Sequence, residues 1–186
     1  MPAEQDLKDM LVALTDGKSC MDCGAHPVSE LCGPTCHSKH EKGCPKHEIQ
    51  YVVGFLFNPG RRTVLLLQKT HPEWQFGMWN GPGGKLEPGE APAAAMRREF
   101  LEETGLDIAA WDRYAELSGP GFRIFLFRAF SETIWSGKSM TDELVDRFPI
   151  DDLPERIMTN AAWLIPMALS MDQDRAAGFV VQELAA

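Results

Sequence analysis

Residues 84–106 read GKLEPGEAPAAAMRREFLEETGL, and the reading of this stretch decides that of the rest of the chain. Pro92 suits the first turn of a helix, where its missing N–H would lack an intrahelical acceptor in any case. Gly105 suits the position just past the end, where a left-handed residue closes the last turn. A helix is therefore predicted to start near Ala91 and stop before Gly105. Positions three and four apart share a helix face, so Glu99, Glu102 and Glu103 crowd together on it. Like charges at i and i+4, such as Glu99 and Glu103, destabilise a helix by roughly 0.2–0.5 kcal/mol. Either the face is solvated and tolerates that cost, or something positive sits among the carboxylates.

Gly84, Glu90, Arg98, Glu99, Glu102, Glu103 and Gly105, with Phe100 and Leu106 at apolar positions, resemble the Nudix box. That pattern is glycine, five residues, glutamate, seven residues, Arg-Glu, a bulky apolar residue, any residue, Glu-Glu, any residue, glycine and a second bulky apolar residue. Phe100 stands where an aliphatic residue is usual, and it keeps the apolar character. The resemblance implies a hydrolase that cleaves a nucleoside diphosphate linked to another group, with Mg²⁺ or Mn²⁺ as cofactor. Carboxylate oxygens are the hard ligands these ions prefer, and repulsion among the glutamates becomes an asset once such a cation binds. By the same resemblance, Glu99 and Glu103 are the main metal ligands and Glu102 contributes. The Gly84 carbonyl adds a contact, and Glu143 matches a later assisting glutamate. Arg98 is implied to orient the glutamates, with Glu90 as its partner. The implied general base is either Glu102 or Glu103.

Residues 79–85, WNGPGGK, look like the same region of the MutT-like group, which destroys oxidised purine nucleoside triphosphates. In that group the matching asparagine contacts the base, and the Asn80 amide offers the donor and acceptor that reading a base edge requires. Asn80 could equally shape the loop. Gly83 and Gly84 would let the backbone approach a pyrophosphate closely. Residues 150–169, IDDLPERIMTNAAWLIPMAL, followed by GFVVQ, are similar to the group's tail. Asn160-Ala161 departs from the paired aspartates of the animal enzymes. Asn160 is then either a base reader of the bacterial type or a helix N-cap. Lys69 could meet a phosphate or remain solvated, and Trp74, Trp79 and Trp163 could stack on a base or simply pack.

The formal net charge is −9 over 186 residues, which argues against a broad nucleic-acid surface but not against a phosphate substrate reached through a divalent cation. No apolar run approaches the ~18 residues of a membrane span. The acidic start MPAEQDLKDM lacks the apolar core of a secretory signal, so a cytoplasmic location is expected.

All five cysteines fall between Cys20 and Cys44. With their histidines they form the pairs Cys20/Cys23, Cys32/Cys36, His37/His40 and Cys44/His47, the short spacings that tetrahedral zinc needs. The segment has too little apolar content for a core, so structural zinc would have to hold it together. Disulfides or free thiols are the alternative. Cys20, Cys23, His37 and His40 could bind one ion and Cys32, Cys36, Cys44 and His47 a second, or about four of these residues could build a single site. The expected role is structural, or a docking surface for a protein partner.

These features divide the chain into residues 1–47, a short amphipathic helix (residues 5–14) and the Cys/His module, and residues 48–186, the hydrolase domain. Strands are expected over Ile49–Phe57, Thr63–Gln68, Phe122–Phe130, residues 147–150 and residues 178–181, with a second helix over residues 159–171. This mixture lacks regular βα alternation, which favours an α+β class. The family resemblance makes it an α/β/α sandwich with a mixed sheet. The function expected is pyrophosphohydrolysis of an 8-oxo-dGTP-like nucleotide to monophosphate and pyrophosphate. NADH pyrophosphatase-like enzymes also carry zinc ahead of a Nudix domain, but their downstream Ser-Gln-Pro-Trp-Pro-Phe motif is absent here. Non-catalytic nucleotide-binding or partner-recruiting Nudix modules commonly lose box carboxylates, and this chain keeps each one.

Overall fold

Strand β1 (Ile49–Phe57) and strand β2 (Thr63–Gln68) are apolar almost without interruption, because both of their faces are covered. Val64 and Leu66 point to one side of the sheet, Leu65 and Leu67 to the other, and all four are fully buried. The computed structural model describes residues 49–119, 122–170 and 179–182. The expected helix over residues 5–14 and the Cys/His pairs lie outside the described residues.

The remaining elements are β3 (Trp79–Asn80), α1 (Pro92–Thr104), β4 (Asp112–Gly119), β5 (Phe122–Phe130), β6 (Leu144–Pro149), α2 (Thr159–Ser170) and β7 (Phe179–Gln182). The sheet runs β3-β2-β1-β5-β4-β7, with β6 on the other edge of β2. It is mixed: β1/β5 and β4/β7 are parallel and the other pairs antiparallel. Helix α1 covers one face, packing Ala95, Met96 and Phe100 against Val52, Leu56, Leu65 and Leu67. Helix α2 covers the other, packing Ala161, Leu164, Ile165 and Ala168 against Phe55, Phe57, Val64 and Leu66. This is the expected α+β arrangement. No helix among the described residues is long and apolar enough to cross a membrane.

Two features of the sheet prepare the site. First, β1 and β2 pair only at Leu56↔Leu65 and Phe57↔Val64 and then diverge. The glycine-rich loop fills the opening: the Val52 N–H donates to the Gly84 carbonyl, and the Gly54 N–H to that of Pro82, both at 2.9 Å. The loop thus substitutes for a strand and leads into α1. Second, β6 pairs with β2 in a register that sets Leu144 opposite Gln68. That register carries Glu143 to Lys69 across the ladder.

The structure extends several sequence expectations. Strand β6 starts at Leu144 rather than near residue 147, and β4 was not anticipated. The Thr70–Asn80 connection contains a 3-10 turn, Glu73–Gln75, and the short strand β3.

Arg128, on β5, is a charged side chain inside the fold, 1% exposed. It pairs with Asp112 at 2.9 Å and donates to the carbonyl of Ala168, one of the α2 carbonyls left without an intrahelical partner. Arg128→Met fills similar volume but leaves that buried carbonyl unpaired. Urea unfolding should show a loss of roughly 1–3 kcal/mol.

Candidate active site

Met96 and Phe100 anchor α1 to the sheet, and this orientation carries Glu99 and Glu103 toward the glycine loop while Glu102 faces outward. The helix begins with Pro92 after an extended Ala91. It ends at Gly105, whose φ of 71° is left-handed and whose N–H donates to the Leu101 carbonyl at 2.8 Å.

Glu103 is 9% exposed. Its Oε2 accepts the Gly83 N–H at 2.8 Å, and its Oε1 lies 3.6 Å from the Lys69 Nζ. The same ammonium lies 3.3 Å from the Glu143 Oε2, and the Thr70 N–H donates to the other Glu143 oxygen at 3.3 Å. Burial pushes the Glu103 carboxyl up to about 7, and Lys69 and the Gly83 N–H offset only part of that rise. Burial also raises the Glu99 carboxyl, with Arg98 acting against it.

Arg98 grips Glu90 with a two-pronged fork, Nε to Oε1 at 2.9 Å and Nη2 to Oε2 at 2.8 Å. Its Nη1 reaches the Glu99 Oε1 at 2.8 Å and the Glu102 Oε2 at 3.3 Å, and Nη2 also donates to the Lys85 carbonyl. The guanidinium hydrogen bond holds the Glu90 carboxyl below its ordinary range. A lysine keeps the charge but not the fork. Arg98→Lys should therefore lower kcat/KM by roughly 10–100-fold, the range expected when a residue that orients metal ligands is lost. Steady-state kinetics with a saturating divalent cation would measure it.

Glu99, Glu103, Lys69 and Glu143 border a cavity of about 370 Å³. Its lining includes Gly83, Gly84, Glu99, Glu103, Lys69 and Glu143, the amides Gln75, Asn80 and Asn160, and the apolar Val53, Ile124 and Met158. The carboxylate oxygens among these residues suit a hard divalent cation. Gly84 is pressed so close that a Cβ there would lie 2.5 Å from the Glu99 carboxyl, which leaves the backbone and the carboxylate facing one another. Among the described residues, no three acidic, histidine or cysteine side chains already converge as a cation cage. Glu99 is turned to Arg98, and Glu103 to Gly83 and Lys69.

The description "NUDIX domain" matches residues 48–168. The chain belongs to the Nudix family. It is 47% identical over 47 residues to a putative 8-oxo-dGTP diphosphatase of Mycobacterium tuberculosis, covering 25% of this chain and 33% of that protein. It is 32% identical over 114 residues to a human 8-oxo-dGDP phosphatase, covering 61% of this chain and 32% of the human protein. The chain thus spans about a third of each of these relatives. A Nudix hydrolase structure from Nitrosomonas europaea superimposes with a TM-score of 0.58 at 20% identity, over 89% of this chain and 99% of that one, a likeness of fold alone.

Within this Nudix domain, the structure gathers most of the residues singled out in the sequence. Lys69, Asn80, Gly83, Gly84, Glu99, Glu103, Glu143 and Asn160 all line the one cavity. Others do not line it. Arg98 stands behind the carboxylates, and Glu102 is largely solvent-exposed beside it. Trp79 is in the core, edge-on to Phe148 at 4.7 Å between ring centres. Trp74 also packs against that core, and Trp163 is exposed on α2. Gln75 and His71 line the cavity but were not anticipated, since a polar residue in an irregular connection leaves no periodic signal.

Proposed function

We propose that this Nudix hydrolase is a Mg²⁺- or Mn²⁺-dependent nucleoside triphosphate pyrophosphohydrolase acting on oxidised purine nucleotides, releasing monophosphate and pyrophosphate. The observation that carries the reading is the shared cavity: the carboxylates Glu99 and Glu103 and the amides of Asn80 and Asn160 line one space of about 370 Å³. The diphosphatase and phosphatase names of the mycobacterial and human relatives support the same substrate class. The cellular setting we assign is the cytoplasm.

Glu99, Glu103 and the Gly84 carbonyl would hold the cation, with Glu102 and Glu143 completing the acidic surroundings. When bound, the cation would neutralise phosphate charge and polarise the phosphorus. Arg98 keeps Glu99 oriented from behind. Lys69, which lines the cavity beside Glu103 and Glu143, meets a phosphate oxygen. Gly83 and Gly84 let the backbone approach the phosphate chain. Glu103, which lines the cavity, takes the proton of the attacking water. Glu102, largely exposed, does not line the cavity. Asn80 and Asn160 contact the base. The Asn80 Oδ1 accepts the Gly81 N–H and the Asn160 Oδ1 the Ala161 N–H, both at 2.9 Å, so each amide nitrogen stays available.

Product analysis with Mg²⁺ and 8-oxo-dGTP, dGTP, other nucleoside triphosphates and NADH tests this reading. Preferential conversion of 8-oxo-dGTP to monophosphate and pyrophosphate is expected. Preferential cleavage of NADH would replace it with a dinucleotide hydrolase, and binding without turnover would replace it with a non-catalytic module.

Residues 1–47 are a separate zinc-holding segment in this reading, and their surface is offered to a protein partner. The support is the spacing of Cys20, Cys23, Cys32, Cys36, His37, His40, Cys44 and His47. Elemental analysis of purified protein should find one or two zinc ions per chain; protein free of zinc, with thiols that react freely, would overturn it.

A further inference from the structure

Gln75 takes no part in the mechanism above, yet it is 7% exposed and borders the cavity. It closes the 3-10 turn Glu73–Gln75, whose other residues include the exposed Glu73. The backbone around it is fully engaged. The Gln75 N–H donates to the Pro72 carbonyl at 2.9 Å, the Met78 N–H to the Gln75 carbonyl at 2.8 Å, and the Gly77 N–H to the Lys69 carbonyl at 2.7 Å. The connection is therefore tied back on itself, and Gln75 is held in one place against the cavity.

The side chain is different. Its amide has no hydrogen-bond partner among the described residues. The amide is not sealed off from solvent, so an uncommitted donor and acceptor are offered to whatever fills the cavity. Asn80 and Asn160 have already committed their oxygens to backbone N–H groups. They face a ligand chiefly as donors. Of the three amides in the cavity, Gln75 alone has both its oxygen and its nitrogen uncommitted.

We propose that Gln75 is a specificity-determining residue that reads a lactam edge of the base, an N–H beside a C=O. Its oxygen accepts the ring N–H and its nitrogen donates to the neighbouring carbonyl. Such an edge occurs at N1/C6 of a 6-oxopurine and at N7/C8 of an 8-oxopurine. The two asparagines supply donors to the remaining acceptors of the ring. This assignment rests on the nucleotide reading above and deepens it.

The test is the ratio of kcat/KM values within pairs of substrates: dGTP against dATP for the first edge, and 8-oxo-dGTP against dGTP for the second. Gln75→Leu removes both hydrogen-bonding groups. It should shrink one of the wild-type ratios by roughly 10–100-fold, through KM more than kcat. Gln75→Glu keeps the acceptor and should shrink it less. Gln75→Met, unbranched like glutamine, gives the deciding ratios if the leucine variant fails to fold by thermal melt. Ratios unchanged within twofold in an active, folded variant overturn the role of Gln75 alone. A uniform rise in KM for every nucleotide also overturns it, since a sugar or phosphate contact would act that way. Wild-type protein that turns over no purine nucleotide overturns the nucleotide reading and this assignment together.

Discussion

In the metal-free protein at pH 8, Glu103→Gln is expected to melt roughly 5–10 °C above the wild type, while its kcat with Mg²⁺ falls by roughly 10²–10⁴. The stability gain follows from burial. The Glu103 carboxyl is raised from an ordinary 4.5 to about 7, chiefly because it is buried. That difference corresponds to roughly 3 kcal/mol. A carboxyl that holds its proton more tightly in the fold contributes this stability fully below about pH 4.5 and loses it as the pH rises through about 7. Glutamine carries no such penalty, can still accept the Gly83 N–H, and leaves Lys69 paired with Glu143. The two proteins should therefore melt close together at pH 4.5 and separate toward pH 8. Mg²⁺ should reverse the order, because it binds the folded wild type and stabilises it by mass action. Thermal melts with chelator and with Mg²⁺ at the two pH values would check this. A variant that melts lower at both, without metal, would mean that the ion pair with Lys69 outweighs the burial of Glu103.

Two neighbouring glycines should respond differently to alanine. A Cβ on Gly83 would lie 2.0 Å from the Val52 carbonyl oxygen, a backbone atom of β1 that cannot give way locally. Gly83→Ala must lift the loop from the strand, breaking the Gly83 N–H bond to Glu103 and the main-chain bonds on either side. A loss of roughly 2–4 kcal/mol in urea unfolding and at least ~100-fold in kcat is expected. A Cβ on Gly84 meets instead the carboxyl end of Glu99, 2.5 Å away, which is the tip of a flexible side chain. Gly84→Ala should leave stability within about 1 kcal/mol while displacing Glu99, so the damage appears as weaker activation by Mg²⁺. Equal stability losses in the two variants would contradict the difference between a backbone clash and a side-chain clash.

Parts of this structure were legible because local chemistry and global packing agree in them. Pro92 and Gly105 mark the ends of α1 by backbone preference alone, and the glutamate spacing identifies its functional side. Strands β1, β2 and β5 are buried on both faces and read as apolar runs. Strand β4 escaped because it mixes exposed Asp112 and Arg113 with buried Tyr114 and Ala115, and a register shift between Arg113 and Ala115 breaks its alternation. Trp79 was read as a candidate for stacking on a base, and the fold gives it to the core. A sequence names an aromatic ring but does not say on which side of a two-residue strand it falls. Gln75 illustrates the converse, a polar side chain buried by the path of an irregular connection.

The splayed strands β1 and β2 also bear on how such a protein can change over generations. The loop and helix that hold Glu99 and Glu103 are one continuous stretch, tied to β1 by main-chain bonds. Other lining residues come from other parts of the chain: Gln75 from the connection after β2, and Met158 and Asn160 from the entry to α2. On the proposed reading, mutations at these positions would remodel what the protein accepts and leave the glycine loop and its helix unchanged. A lineage built on this scaffold is free to diversify in diet while its hydrolytic machinery is inherited intact.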